Sequence, residues 1–561
     1  MRINHLQYIP IALHSSVYGK NMSDEELANK LSTIDCGILT AILCRLFSLH
    51  IAICEGNQDA EKLYSMLRFF HAQHIIKQGG DSKKYCAYES IMCPTSLLLL
   101  EKWALVHCRV EAEISQITVP DLCLIMDLLL AVNDKMPKGE VKGHETEHLY
   151  LMLYYHTHRS LRNQLARAYY VYGTLAKSCS AMAKIIQEYE EKKGFTIEER
   201  ICILFNSLSL FMPMQYTFEN VFAQGLCVQK KEFDARGLNK AYKSITHDVC
   251  ITYSQMKKMV AKTLYQTWNF EPFYRHPFVY IGNNQFAISE TAIIYQIWEG
   301  LYWSVRFSSD SNNTDFFGAF GKPFEQYIQE ITSEAVRRTN GMAQYFGEFF
   351  YTFNGNRKAS SDCYFIIDDT LIAVEVKAKS PHSDTLTGIN REAILSEVDD
   401  LIVNPVNQVI ARTKELFSTN CHMEGISDNA FKDIKQLIIL SVSMEKVQPI
   451  GELLFYSDGK ITPNISGISM VAYHNLSAED YEAVCNVLES KPRELKQILV
   501  SWFHDQRKDR FSAVLLANYL YSNDIPYTCS AYVDSLFSNS LHEISIQTFG
   551  YDILNSETES S

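Results

Sequence analysis

The chain reads as a multidomain α + α/β protein. A large, mainly helical N-terminal region (1–307) precedes an α/β/α domain (312–492) and a helical C-terminal segment (493–561) with a disordered tail. Three patterns carry this reading. Apolar residues recur at helical spacing through most of the N-terminal half. From Gln344 onward, β-branched and aromatic runs alternate with helical stretches, as a sheet covered on both faces requires. After Lys491-Pro492 the helical spacing returns, with Leu495, Leu499, Trp502 and Phe503 on one stripe.

Composition bounds the function classes. At 561 residues, with 47% hydrophobic and 21% charged residues, the chain can bury several sizeable cores. A formal charge of -13 excludes indiscriminate binding of polyanions, so any nucleic-acid contact needs a local basic surface. The 15 cysteines are scattered through apolar segments such as DLCLIMDLLL, and no C-x-x-C pair occurs. Free thiols in a reducing cytoplasm follow, without zinc ribbons or redox dithiols. The first residues lack a signal-peptide layout, and no apolar run approaches the roughly 20 residues a membrane span needs. A cytoplasmic protein with no membrane partner is expected.

The N-terminal region opens with a capping box, Ser23 followed three residues later by Glu26. Helical stripes follow over Ala60–Ile76, Ser96–Val110, Pro120–Val132 and Arg159–Glu191, with loops at Gly79–Lys84 and Lys135–Lys142. His144-Glu145-Thr146-Glu147-His148 matches the H-E-x-x-H pattern of zinc peptidases. Glu147 puts a charge where zinc helices are apolar, so a solvated first turn is the expectation and zinc is not. A β-hairpin is expected near 273–290, turning at Gly282-Asn283-Asn284. A helical Ala292–Phe307 follows, and Ser308–Asn313 reads as a linker.

Beyond the linker, Phe316–Arg338 reads as a helix carrying Glu325, and Gln344–Phe353 as a first strand. Asn354–Ser360 reads as a loop. Glu392–Phe417 is helical with a break near Asn404-Pro405. Gln436–Ser443 and Ile465–His474 are strands, and Ser477 caps the next helix. Gly321-Lys322 lacks the Ser/Thr and first glycine of a phosphate loop, and no G-x-S-x-G occurs.

The chemistry concentrates in Ser361–Lys379, SDCYFIIDDTLIAVEVKAK, a tight hairpin. Side chains alternate along a strand, so Glu375 and Lys377 share a face. Folding back about Asp369 brings Asp362 opposite Val376. A strand edge leaving the core is the plainer reading of Glu-x-Lys. Against it, Ile372, Val374, Val376 and Ala378 make the other face wholly apolar, so the strand is central. Two carboxylates beside a lysine suit Mg²⁺-dependent phosphodiester hydrolysis, because the hard cation takes oxygen ligands and the lysine orients water or offsets charge.

Asp362, Glu375 and Lys377 stand at the D…ExK positions of the PD-(D/E)xK nuclease superfamily, which the segment 312–492 resembles. The resemblance implies the restriction-endonuclease-like fold and Mg²⁺ (or Mn²⁺) held by Asp362, Glu375 and Glu325. NPVNQVIARTKEL is similar to the Asn-Pro-x-x-Gln helix of NERD-like members and implies an accessory role for Gln408. Ser361 replaces the family's usual proline. Arg357, Lys358 and Lys379 are candidate nucleic-acid contacts, with Arg391 and Arg412 as weaker ones. The implied activity is nucleic-acid hydrolysis, DNA before RNA by resemblance alone. The alternative is a binding scaffold that retains the fold without catalysis. The helical regions are candidates for a protein partner or self-association, and by analogy a nuclease joined to a helical sensor suggests bacterial anti-phage defence.

Overall fold

In a computed structural model the described residues are 11–54, 56–87, 91–110, 117–136, 143–156, 159–209, 213, 215–223, 227–228, 239–308, 313–387, 390–427 and 430–549. The predicted linker lies largely outside them, as do the predicted loop beyond Met136 and the C-terminal tail. The chain forms two compact units. The first is built mainly from Met1–His158 and Lys193–Gly300, the second from Arg159–Lys192 and Leu301–Ile546. The expected boundaries therefore shift. Arg159–Lys192, read from its pattern as part of the N-terminal region, packs with the second unit. The 493–546 segment also joins that unit, burying Leu495, Leu499 and Trp502.

The first unit is helical. Its apolar centre is Cys36–Cys54, packed on Pro94–His107, whose Leu97–Leu100 run and Trp103 are almost fully buried. Among the described residues Cys36–Cys54 is the one helix with the length and apolarity to cross a membrane, and 78% of that window is buried inside the fold. The capping box forms as read, with the Ser23 hydroxyl accepting from Glu26 N–H and the Glu26 carboxylate accepting from Ser23 N–H. The expected hairpin is Phe278–Ile281 paired with Asn284–Ala287, and Cys250–Thr252 adds a parallel third strand. Gly282 takes the left-handed φ of 61° at the turn. The helix Glu145–His156 departs from the solvated turn expected of it. Thr146, Glu147 and Tyr150, spaced along one face, are buried, and His148 meets the ring of Trp268 edge-on at 4.9 Å.

The second unit centres on a five-stranded mixed sheet. Its elements are α1 (Asn313–Arg338), β1 (Gln344–Gly347), β2 (Phe350–Phe353), β3 (Asn356–Ala359), β4 (Cys363–Ile367), β5 (Thr370–Lys377), α2 (Asn404–Leu416), β6 (Cys421–Met423), β7 (Gln436–Ser443), β8 (Ser469–Ser477) and α3 (Ala478–Ser490). The sheet order is β8-β7-β5-β4-β1, with β8, β7 and β5 parallel and β5, β4 and β1 antiparallel. β5 is thus central, and seven of its eight residues are buried. Helices cover both faces. Arg412 of α2 reaches Glu375 on one face, while Thr332 of α1 reaches Cys363 on the other, the face of Val374.

Two local expectations are corrected. Gln344–Phe353 is not one strand, because the chain breaks at Glu348-Phe349 and β2 leaves for a second sheet. Asn354–Ser360 is not a loop, since Asn356–Ala359 pairs with β2 in the small sheet β3-β2-β6. The break in the 391–416 helix falls where Pro405 removes a backbone donor, and the turn before it, Asp399–Val403, is π-helical. None of the 15 cysteines forms a disulfide.

Candidate active site

The hairpin builds the site. β4 and β5 join through a two-residue turn in which Asp368 takes φ 51°. The register Cys363↔Val374 carries Asp362 to the level of Glu375, one residue short of the Val376 expected from the turn. Its Oδ2 accepts from Val376 N–H at 2.6 Å. Ser361 is buried and donates its N–H to the Tyr364 hydroxyl at 2.9 Å.

Glu375 is 3% exposed and spends one oxygen on each of two cations. Oε1 accepts from Lys377 Nζ at 3.0 Å and Oε2 from Arg412 Nη1 at 2.7 Å. Lys377, half-buried on the same strand face, also lies 3.4 Å from Gln408 Oε1. Gln408 and Arg412 stand one turn apart on α2, so a single helix face presents both to the strand end.

Glu325 comes from α1, two residues after Pro323. One turn later Gln329 donates from Nε2 to the Asp362 carbonyl at 2.9 Å, which ties this helix face to the start of β4. Burial, and then the charge of Glu348, push the Glu325 carboxyl up from its ordinary range. Asp362 is pushed up to about 7, first by burial and then by the charges of Glu375 and Glu325, against the pull of Val376 N–H and Lys377.

Asp362, Glu375, Lys377 and Gln408 thus meet at one strand end, with Glu325 within electrostatic reach. Yet among the described residues no three His, Cys, Asp or Glu side chains gather around one point as a metal-ligand set. The donor chemistry nonetheless fits a hard divalent cation: oxygen ligands only, and negative charge dense enough to raise two carboxyls. An open cavity of about 630 Å³ runs beside the site, lined by Glu325, Glu330, Glu348, Lys322, Gln329 and Tyr345 among others. It includes none of Asp362, Glu375 and Lys377, and three glutamates against one lysine make it unwelcoming to phosphate.

The candidate nucleic-acid contacts are all engaged by acids. Arg357 makes a bidentate pair with Glu424 at 2.8 and 2.9 Å, its guanidinium 3.7 Å from the Phe350 ring centroid. Lys358 pairs with Glu415 at 2.5 Å, Lys379 with Asp400, and Arg391 with Glu452. Sequence reasoning gave Arg412 only as a weak phosphate contact and missed Glu348. The four-residue spacing from Gln408 was the available sign for Arg412. Glu348 had none, because it sits at the break that the single-strand reading concealed.

No family model matches this chain, and neither a curated protein nor a solved structure does.

Proposed function

We propose that the second unit is a divalent-metal-dependent nuclease of restriction-endonuclease-like fold that hydrolyses nucleic-acid phosphodiesters, DNA in preference to RNA. The observation that carries this reading is the meeting of Asp362 and Glu375 at the end of a central strand, with Lys377 3.0 Å from Glu375. Asp362 and Glu375 would hold Mg²⁺ or Mn²⁺, assisted by Glu325. The bound ion supplies neutralisation of charge on the phosphoryl oxygens and acidifies water. Lys377, held between Glu375 and Gln408, keeps its ammonium aimed along the strand end, where it orients the attacking water and offsets developing charge. The buried floor of the site lowers the local dielectric and strengthens each of these interactions. Fifteen cysteines without a disulfide fit a reducing cytoplasm.

A second reading is a nucleic-acid or protein-binding scaffold without catalysis, favoured by the pairing of every candidate cationic contact with a carboxylate. Incubating the purified full chain with linear, circular and single-stranded DNA, and with RNA, separates the two. The nuclease reading expects Mg²⁺-dependent cleavage that Lys377→Ala and Asp362→Ala/Glu375→Ala abolish while circular dichroism is unchanged. Binding without cleavage under any divalent ion leaves only the scaffold.

A further inference from the structure

We propose that Arg412 is a competitor for the metal position. It neutralises Glu375 in the ion-free protein, and it is released toward the substrate phosphate when a divalent cation arrives. The inference rests on the metal-dependent reading given above.

A carboxylate buried as deeply as Glu375 is stable only with strong compensation, because a desolvated charge without a counterion is strongly destabilising. Two cationic side chains supply it, one on each oxygen. A third cation at the same carboxylate meets two positive charges within a few ångströms, so one must leave. The two are not equivalent. Lys377 is fixed by the central strand and has Gln408 as a second anchor. Arg412 reaches Glu375 from the neighbouring helix α2 at the end of a flexible stem; its side chain is 23% exposed against 31% for Lys377, so the difference lies in anchoring and not in exposure.

The same helix offers Arg412 somewhere to go. Glu415 lies three residues on and close enough for the Arg412 charge to act on it, where it already accepts from Lys358 and Tyr351. A guanidinium held there stays on α2 near the strand end, and its planar fork can bind phosphate oxygens in pairs. Glu375 is drawn toward α2, Asp362 toward Val376 N–H, and no three acidic groups close on one point among the described residues.

The test is Mn²⁺ binding by the full chain without nucleic acid, read by electron paramagnetic resonance, together with melting temperature in EDTA and in Mn²⁺. Arg412→Gln is expected to bind Mn²⁺ about tenfold more tightly than the natural protein. It should also melt lower in EDTA and gain more from the ion. Affinity for a short DNA duplex in Ca²⁺ is expected to fall. Arg412→Lys, which keeps the charge and loses the fork, should leave Mn²⁺ affinity near that of the natural protein, and it serves if the glutamine variant folds poorly. Unchanged or weaker Mn²⁺ binding by Arg412→Gln, or tighter binding by Arg412→Lys, overturns the inference while the nuclease reading stands. If the natural protein shows no Mn²⁺ binding that Asp362→Ala removes, the metal reading fails and takes this inference with it.

Discussion

Gln329 donates from its side-chain amide to the backbone carbonyl of Asp362 at 2.9 Å, one helical turn beyond Glu325. That bond links the helix bearing one candidate ligand to the strand bearing another. Gln329→Leu keeps the volume and removes the donor. Expected are a stability loss of about 1 kcal/mol by denaturant unfolding and a drop in cleavage of about tenfold or more, since small misplacements of catalytic groups are costly. Full activity with the same stability loss would mean that Glu325 does not need this tether.

Arg167 carries a different kind of weight. It makes a bidentate pair with Glu482 at 2.8 and 2.9 Å, Tyr327 donates to the same carboxylate at 2.6 Å, and all three are buried. Arg167→Met leaves a buried anion with one neutral donor, at a cost of about 3–5 kcal/mol. Arg167→Met/Glu482→Leu removes both charges and is expected to recover most of that loss. Additive destabilisation in the double variant would show that the pair was not coupled.

The pH dependence of stability follows from Asp362. Its folded pKa is raised to about 7 from an ordinary 3.8, so between those values the folded protein keeps a proton the unfolded chain has released. The sign is therefore a loss of stability as pH rises from about 4 to about 7, and no further change above. Asp362→Asn cannot ionise. In EDTA it should melt higher than the natural protein at pH 8, with the difference shrinking toward pH 4. Equal melting curves at both pH values would contradict the burial and charge crowding assigned to this carboxyl.

Ser361→Pro introduces the residue that the resemblance to PD-(D/E)xK nucleases would place here. In this chain the Ser361 N–H is committed to the Tyr364 hydroxyl. The proline has no such donor, so a loss of about 1–2 kcal/mol is expected by thermal unfolding. A neutral or stabilising result would indicate that Tyr364 finds another partner.

Much of the second unit was legible because its signals are local. Asp368-Asp369 between two β-rich arms gave the hairpin, the unbroken apolar run Gln436–Ser443 gave β7, and Ser477 three residues before Asp480 gave the next cap. Alternation put Glu375 and Lys377 on one face, and the fold-back about the turn brought Asp362 to within one residue of its level. What escaped was non-local or lacked an apolar mark. β3 is Asn-Arg-Lys-Ala, exposed over three of its four residues, so it carried no burial pattern to read. The membership of Arg159–Lys192 in the second unit depends on Arg167 meeting a carboxylate 315 positions away, and no window of sequence reports that. Glu147 was read as solvated from its charge, yet the helix turns it inward.

The second unit is discontinuous, and this has a consequence during synthesis. Its first segment, Arg159–Lys192, leaves the ribosome long before α3 brings Glu482, and at ordinary elongation rates of about 5–20 residues per second that wait lasts many seconds. Through that interval Arg167 waits for Glu482. A nascent chain therefore cannot close the second unit until α3 has been translated, however early its first segment emerges.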